Sequence, residues 1–199
     1  MEKLTRCLAV ALAATTLIGC KDEESGPPPP VASQEPVEGT VPAGEKKEAP
    51  MEQKMLSEGD PAPAIEMTLQ SGEKVKLAEQ KGLVFVYFYP KDDTPGCTVE
   101  AKGLRDNYAG LQETEVKVFG VSMQDADSHK AFIDKHELPF DLVVDDGTVA
   151  RAFDVPVKGE FASRHSFLLK DGKVVKTWRK VSPPEHAKEV LAAAEENKS

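Results

Sequence analysis

The chain has 199 residues, 40% of them hydrophobic and 30% charged, with a formal net charge of −9. That length holds one ordinary domain with additions. The acidic balance excludes a nucleic-acid-binding surface, because phosphate contacts need grouped cations, and the one cluster of lysines, "EKKE" at 45–48, is neutralised by its own acids.

The first segment reads as a targeting signal. Lys3 and Arg6 make a basic start to the apolar run "CLAVALAATTLI" (7–18). A permanent span needs about 20 apolar residues, so this shorter run is expected to be a removable signal. It ends in "LIGC" (17–20), which resembles the lipobox of bacterial lipoprotein signal peptides. In that class the cut precedes the cysteine, so residues 1–19 would leave and Cys20 would carry the lipid. Acyl chains anchor stably because each buried CH₂ contributes about 0.8 kcal/mol. An extracytoplasmic, lipid-anchored location follows as an expectation. Residues 21–53 contain seven prolines and no aromatic residue. Such a composition cannot bury enough apolar surface to offset ordering entropy, so 20–54 is predicted to be the lipidated Cys20 plus a disordered tether.

The folded domain is predicted over 55–199. "IEMTLQSGEKVKL" (65–77) alternates apolar and polar residues about Ser71-Gly72, as a hairpin does. "LVFVYF" (83–88) is apolar throughout and is predicted to be a central strand buried on both faces. A helix over 99–111, a strand over 116–122, a helix over 127–136, a strand over 140–145 and a short helix over 147–153 follow. "SFLLKDGKVVKTW" (166–178) has Asp171-Gly172 at its centre, a strong hairpin signal. Residues 182–196 form a last helix, with Ser182 at its cap, Pro183 and Pro184 in its first turn and Glu185 third. This order predicts an α/β fold: a central mixed sheet flanked by helices.

The chain has three cysteines: Cys7, Cys20 and Cys97. With the first removed and the second acylated, Cys97 is left as a lone thiol, unable to form an internal disulfide. Its setting is "PKDDTPGCT" (90–98), directly after the buried strand, where α/β sheets tend to place ligand sites. Thr94 is a good N-cap, Pro95 suits the first helical position, and Cys97 then falls third. There it meets unpaired backbone N–H groups and the positive end of the helix dipole, which favour a thiolate over a thiol. A capping threonine turns its hydroxyl toward the third amide, so Thr94 Oγ1 is expected close to the sulfur. A buried, inert cysteine is the competing account, but Pro, Gly and two Asp residues are not core neighbours.

"FYPKDDTPGCTVEAKGLRDNY" resembles the active-site segment of peroxiredoxins of the bacterioferritin-comigratory (PrxQ-type) subfamily. The matched motif is Pro90, Thr94 and Cys97, and the likeness continues through "VKVFGVSMQD", "LPFDLVVDD", "RHSFLLKDGKVVKTWRKV" and "HAKEVL", covering 57–195. The resemblance implies a thioredoxin-like fold and reduction of hydrogen peroxide and organic hydroperoxides. It makes Cys97 the peroxidatic nucleophile, oxidised to a sulfenic acid. Thr94 would hold thiolate and peroxide, Pro90 would wall the pocket, and Arg164 would supply the fixed cation. Trp178 matches an aromatic position that packing explains equally.

Many relatives carry a resolving cysteine five residues on, where this chain has Lys102. A one-cysteine mechanism is therefore expected, with the sulfenic acid reduced by an external, thioredoxin-like thiol donor. No cofactor or metal is expected; the partners are a peroxide, that donor and, through Cys20, a membrane, and the chain is expected to be a monomer. A thioredoxin-type reductase would need C-x-x-C, but Thr94 precedes Cys97 by three and Glu100 follows by three. A non-catalytic or redox-sensing lipoprotein on the same fold is the alternative. His129 and His136, two turns apart, are expected on a solvated helix face, and His165 and His186 are expected to be structural or exposed.

Overall fold

In the structure, a computed structural model that describes residues 56–198, "LVFVYF" is an interior strand of the sheet, buried along its whole length. The signal at 1–19, Cys20 and the tether at 20–54 lie outside the described residues.

Strands β1 (Glu66–Leu69) and β2 (Lys74–Lys76) form the first hairpin, and β3 (Leu83–Phe88) lies inside the sheet, between β4 and β8. Helices α1 (Pro95–Asp106) and α2 (Tyr108–Glu113) come next. Then follow β4 (Lys117–Ser122), α3 (Ala126–His136), β5 (Asp141–Val144) and α4 (Thr148–Ala152). The chain continues through β6 (Val157–Lys158), β7 (Phe161–Ala162), β8 (His165–Lys170), β9 (Lys173–Trp178) and α5 (Pro183–Asn197). Seven strands make one mixed sheet in the order β2-β1-β5-β4-β3-β8-β9. β3, β4 and β5 run parallel, while β8 pairs antiparallel with both β3 and β9.

The two-residue period of β3 divides the core. Phe85 and Tyr87 join Cys97, Ala101, Leu104 and Val190 on the face covered by α1 and α5. Val84, Val86 and Phe88 face the other way, into Val149, Phe153 and Phe167. Every side chain of β3 is buried, as a strand covered on both faces requires. Burying a single side chain of this size contributes about 1.5–3 kcal/mol.

Helices α1 and α5 approach closely because small residues meet there; a Cβ added at Gly103 would lie 3.5 Å from that of Ala187. The β8–β9 turn has Asp171 at φ 47° and Gly172 at φ 77°, the left-handed pair that the Asp-Gly signal predicts. Two details differ from the sequence reading. Helix α1 starts at Pro95, as its capping residues predict, but does not run unbroken to 111: it is broken at Asn107, whose side-chain amide donates back to the Gly103 carbonyl (2.8 Å). Asparagine competes in this way for backbone acceptors. The small hairpin of β6 and β7 was not expected, because strands of two residues carry no periodicity.

Candidate active site

Parallel strands β3 and β4 end on the same side of the sheet, and the loop after β3 lies there. Residues 89–94 form this loop, and Thr94 is the N-cap of α1, its carbonyl accepting from the Thr98 amide (2.9 Å). Pro95 is the first helical residue and Cys97 the third, so the cysteine occupies the position its sequence predicts. Cys97 is 2% exposed and is the free cysteine among the described residues.

Arg164 arrives from the other side of β3. The register places Phe88 opposite His165, so the residue leading into β8 stands beside the loop that leads out of β3. Its Nη2 donates to Cys97 Sγ at 3.1 Å, and its Nη1 donates to Glu100 Oε2. Burial works against a charged guanidinium, but Glu100 and Cys97 beside it outweigh that and raise its affinity for the proton. Gly96 leaves room for this approach, since a Cβ there would sit 3.4 Å from Nη2.

Glu100 lies one turn beyond Cys97 and is fully buried. Its Oε1 accepts from His186 Nδ1 of α5 at 2.7 Å. The sequence reading missed both residues as parts of the site. The signal was present: positions 97, 100, 101 and 104 form the apolar stripe of α1, and a glutamate in such a stripe needs a buried partner. His186 occupies the same kind of position on α5, beside Ala187 and Val190.

The loop itself is held by its two aspartates. Asp92 is buried and accepts from Tyr89 Oη (2.8 Å) and Ser128 Oγ (2.6 Å), with His129 Nδ1 at 2.9 Å. His129 Nε2 lies 3.1 Å from the Val143 carbonyl oxygen, so the ring bridges the loop to β5. Asp93, at φ 56°, meets His136 Nε2 (2.8 Å) and Lys135 Nζ (3.0 Å). The expected solvated face for His129 and His136 is therefore corrected. They do share one face of α3, but it is buried, and the aspartates are the reason. His165 and His186 are buried as well, which settles their structural-or-exposed alternatives for the interior.

Thr94 also departs from expectation. Its hydroxyl does not cap the third amide but donates to the Lys91 carbonyl at 3.1 Å, closing the loop on itself. Pro90 is half-buried at the start of the loop. Trp178 packs edge-on against Phe85 and His186 at 5.9 and 5.6 Å between ring centres, a core contact behind the site. Lys102, where a resolving cysteine was considered, is exposed on α1.

With this geometry in place, the comparisons with known proteins agree on one group. The AhpC/TSA family profile matches residues 58–177. Peroxiredoxin Bcp of Bacillus subtilis (strain 168) is 43% identical in an alignment of 143 residues that covers 67% of this chain and 91% of that one. Peroxiredoxin Q of Xanthomonas campestris (structure F4) superimposes with a TM-score of 0.65 at 33% identity, covering 74% of this chain and 99% of that one. A structure of the bacterioferritin comigratory protein of Xanthomonas campestris, described for its alkyl peroxide reduction activity, also gives a TM-score of 0.65 at 33% identity, over 72% and 98% of the two chains. The likeness extends to the thioredoxin-like sheet and its flanking helices.

Proposed function

The chain belongs to the AhpC/TSA family, in the Bcp and Q group of the peroxiredoxins, and is a thiol-dependent peroxidase; from that premise we propose that it reduces hydrogen peroxide and organic hydroperoxides through Cys97 alone. The observation that carries this reading is the Arg164 guanidinium 3.1 Å from a sulfur in the first turn of a helix. A fixed cation and free helix amides both favour the anionic sulfur.

In the proposed reaction, Cys97 thiolate attacks one oxygen of the peroxide and the O–O bond breaks. Sulfur is oxidised to the sulfenic acid, while the other oxygen leaves with the bonding electron pair and takes a proton to become water or an alcohol. Arg164 stabilises the charge that develops on the departing oxygen. Thr94 acts as an acceptor, since its hydroxyl proton is committed to Lys91; it can receive the O–H of an incoming peroxide but has no proton to give the sulfur. Pro90 shields the loop side of the pocket. An external thiol then condenses with the sulfenic acid, releasing water, and a second thiol frees Cys97. The alkyl peroxide activity described for the Xanthomonas relative supports including organic hydroperoxides.

Peroxide consumption by the purified protein with a dithiol donor is expected to be lost in Cys97→Ser, and equal rates would remove the reading. The "LIGC" sequence supports a lipid anchor at Cys20 and an extracytoplasmic site of action. Replacing Cys20 with Ser should then move the protein from the membrane fraction to the soluble one, and an unchanged distribution would overturn the anchor.

A further inference from the structure

Arg164 offers two N–H groups from two nitrogens, and they go to different acceptors. Nη1 binds Glu100 Oε2 and Nη2 binds Cys97 Sγ. This division needs a cause. A carboxylate facing a guanidinium prefers the two-point fork, in which both of its oxygens take parallel bonds from Nη1 and Nη2. Were Glu100 to adopt that fork, Nη2 would turn from the sulfur to the second oxygen.

The second oxygen keeps a free lone pair, but it is held from the α5 side, which fixes the rotation of the carboxylate. His186 Nδ1 lies 2.7 Å from Glu100 Oε1, and both side chains are fully buried. The imidazole cannot easily move, because Phe85 and Trp178 pack edge-on against it, with ring centres at 5.5 and 5.6 Å. Its other nitrogen, Nε2, is buried and has no partner among the described residues. The ring's hydrogen-bonding capacity is thus committed to Glu100 alone, in a slot between two aromatic rings that an apolar residue would fill without leaving a nitrogen unpaired. A histidine kept there under that penalty points to a task at its one bonded atom.

We propose that His186 is a positioning residue for the peroxidase reaction: by holding Glu100 Oε1 it fixes the rotation of that carboxylate and keeps it to one-point contact with Arg164, which leaves Nη2 aimed at the Cys97 sulfur and at the peroxide oxygen that departs when the O–O bond breaks. His186 touches neither sulfur nor peroxide. It acts through two intermediaries, from the first turn of α5 to the first turn of α1. The inference rests on Cys97 being the peroxidatic residue.

The test is a double-mutant cycle read as the single-turnover rate with hydrogen peroxide, using the full chain, with Cys97→Ser as the control for the underlying reading. His186→Phe keeps the ring packing and removes the hydrogen bond; it should slow the reaction by about 10–100-fold, less than the roughly 100–1,000-fold lost when a transition-state donor is removed outright, because here it is only misaligned. In an Arg164→Ala background the same substitution should change the rate by less than about 3-fold, because the group it positions is gone. A merely structural role would cost the same in both backgrounds. His186→Asn places an amide N–H where Nδ1 stood and should recover the rate to within about 3-fold of the parent, whereas His186→Gln sets its amide one bond too far and should not. The Asn and Gln pair decides the matter if the Phe variant does not fold. Equal losses in the two backgrounds, an undiminished rate in His186→Phe, or indistinguishable Asn and Gln variants would each overturn the proposal. A parent protein no faster than Cys97→Ser would instead remove the peroxidase reading beneath it.

Discussion

Asp92 and Asp93 were read in the sequence as polar company for a reactive cysteine, and at the residue scale they prove to be its foundations. Burial pushes the Asp92 carboxyl up, yet hydrogen bonds from His129, Ser128 and Tyr89 hold it below the ordinary carboxylate range. Asp93 is lowered by His136 and then by Lys135. A carboxyl depressed on folding stabilises the fold above its unfolded value of about 3.9, and that contribution is lost as pH falls through the lower folded value. His165 behaves differently: burial draws it below the ordinary imidazole range, with Arg179 adding to this against a hydrogen bond that the ring donates to the backbone of Ser163. Its unfolded form takes up a proton first, so stability declines as pH falls below about 6.5. Urea midpoints are therefore expected to fall in two stages on acidification, a shallow one near pH 6 and a steeper one below about pH 4. Asp92→Asn breaks a buried charged contact, and a loss on the order of 3 kcal/mol at neutral pH is expected, together with a flatter acid stage. A variant with the parent's midpoint and the parent's acid limb would show that Asp92 does not hold the loop.

Elements were legible wherever one chemical pattern dominated a segment. β3 announced itself by an unbroken apolar run, the β8–β9 hairpin by Asp171-Gly172, and the start of α1 by Thr94-Pro95. What could not be read is the meeting of distant elements. Glu100 and His186 are 86 positions apart, and Asp92 and His129 are 37 apart; nothing local marks either pair. The helix break at Asn107 depends on a single side chain choosing the Gly103 carbonyl, a competition that composition does not decide. Gly120 of β4 shows the same limit. In sequence it is a glycine that weakens a strand, whereas in the fold it is the space that the Tyr87 ring occupies. A Cβ at that position would lie 2.6 Å from Leu142 Cδ2 and 2.7 Å from Tyr87 Cζ and Oη. Tyr87 is fully buried and cannot swing out. Gly120→Ala should therefore destabilise the protein by about 1–3 kcal/mol, in the manner of an overpacked core. It should also slow peroxide reduction, because Tyr87 lies in the same core cluster as Cys97. Thermal unfolding at the parent's temperature would mean the ring has room to move.

For the molecule as a whole, the inventory of thiols sets the catalytic cycle. The sequence has three cysteines, and on the reading proposed here Cys7 departs with the signal and Cys20 is consumed by lipid. Cys97 then has no internal partner, and its sulfenic acid must wait for a thiol from outside. In a two-cysteine cycle the oxidised enzyme closes an internal disulfide at a rate independent of donor, so turnover saturates early as donor is raised. In a one-cysteine cycle the sulfenic acid meets the donor directly, and at high peroxide the turnover rate should rise in proportion to donor concentration over a wide range. One equivalent of peroxide without donor should leave a sulfenic acid that dimedone traps on Cys97, and non-reducing electrophoresis should show a monomer band of unchanged mobility. Excess peroxide should inactivate the enzyme progressively, since an unresolved sulfenic acid oxidises on to the sulfinic acid. Two results would sink this cycle: a turnover rate indifferent to donor, or a Cys97–Cys97 dimer as the main product of one equivalent of peroxide. The second carries its own physical meaning, because Cys97 is only 2% exposed and two such sulfurs can meet only if the first turn of α1 opens.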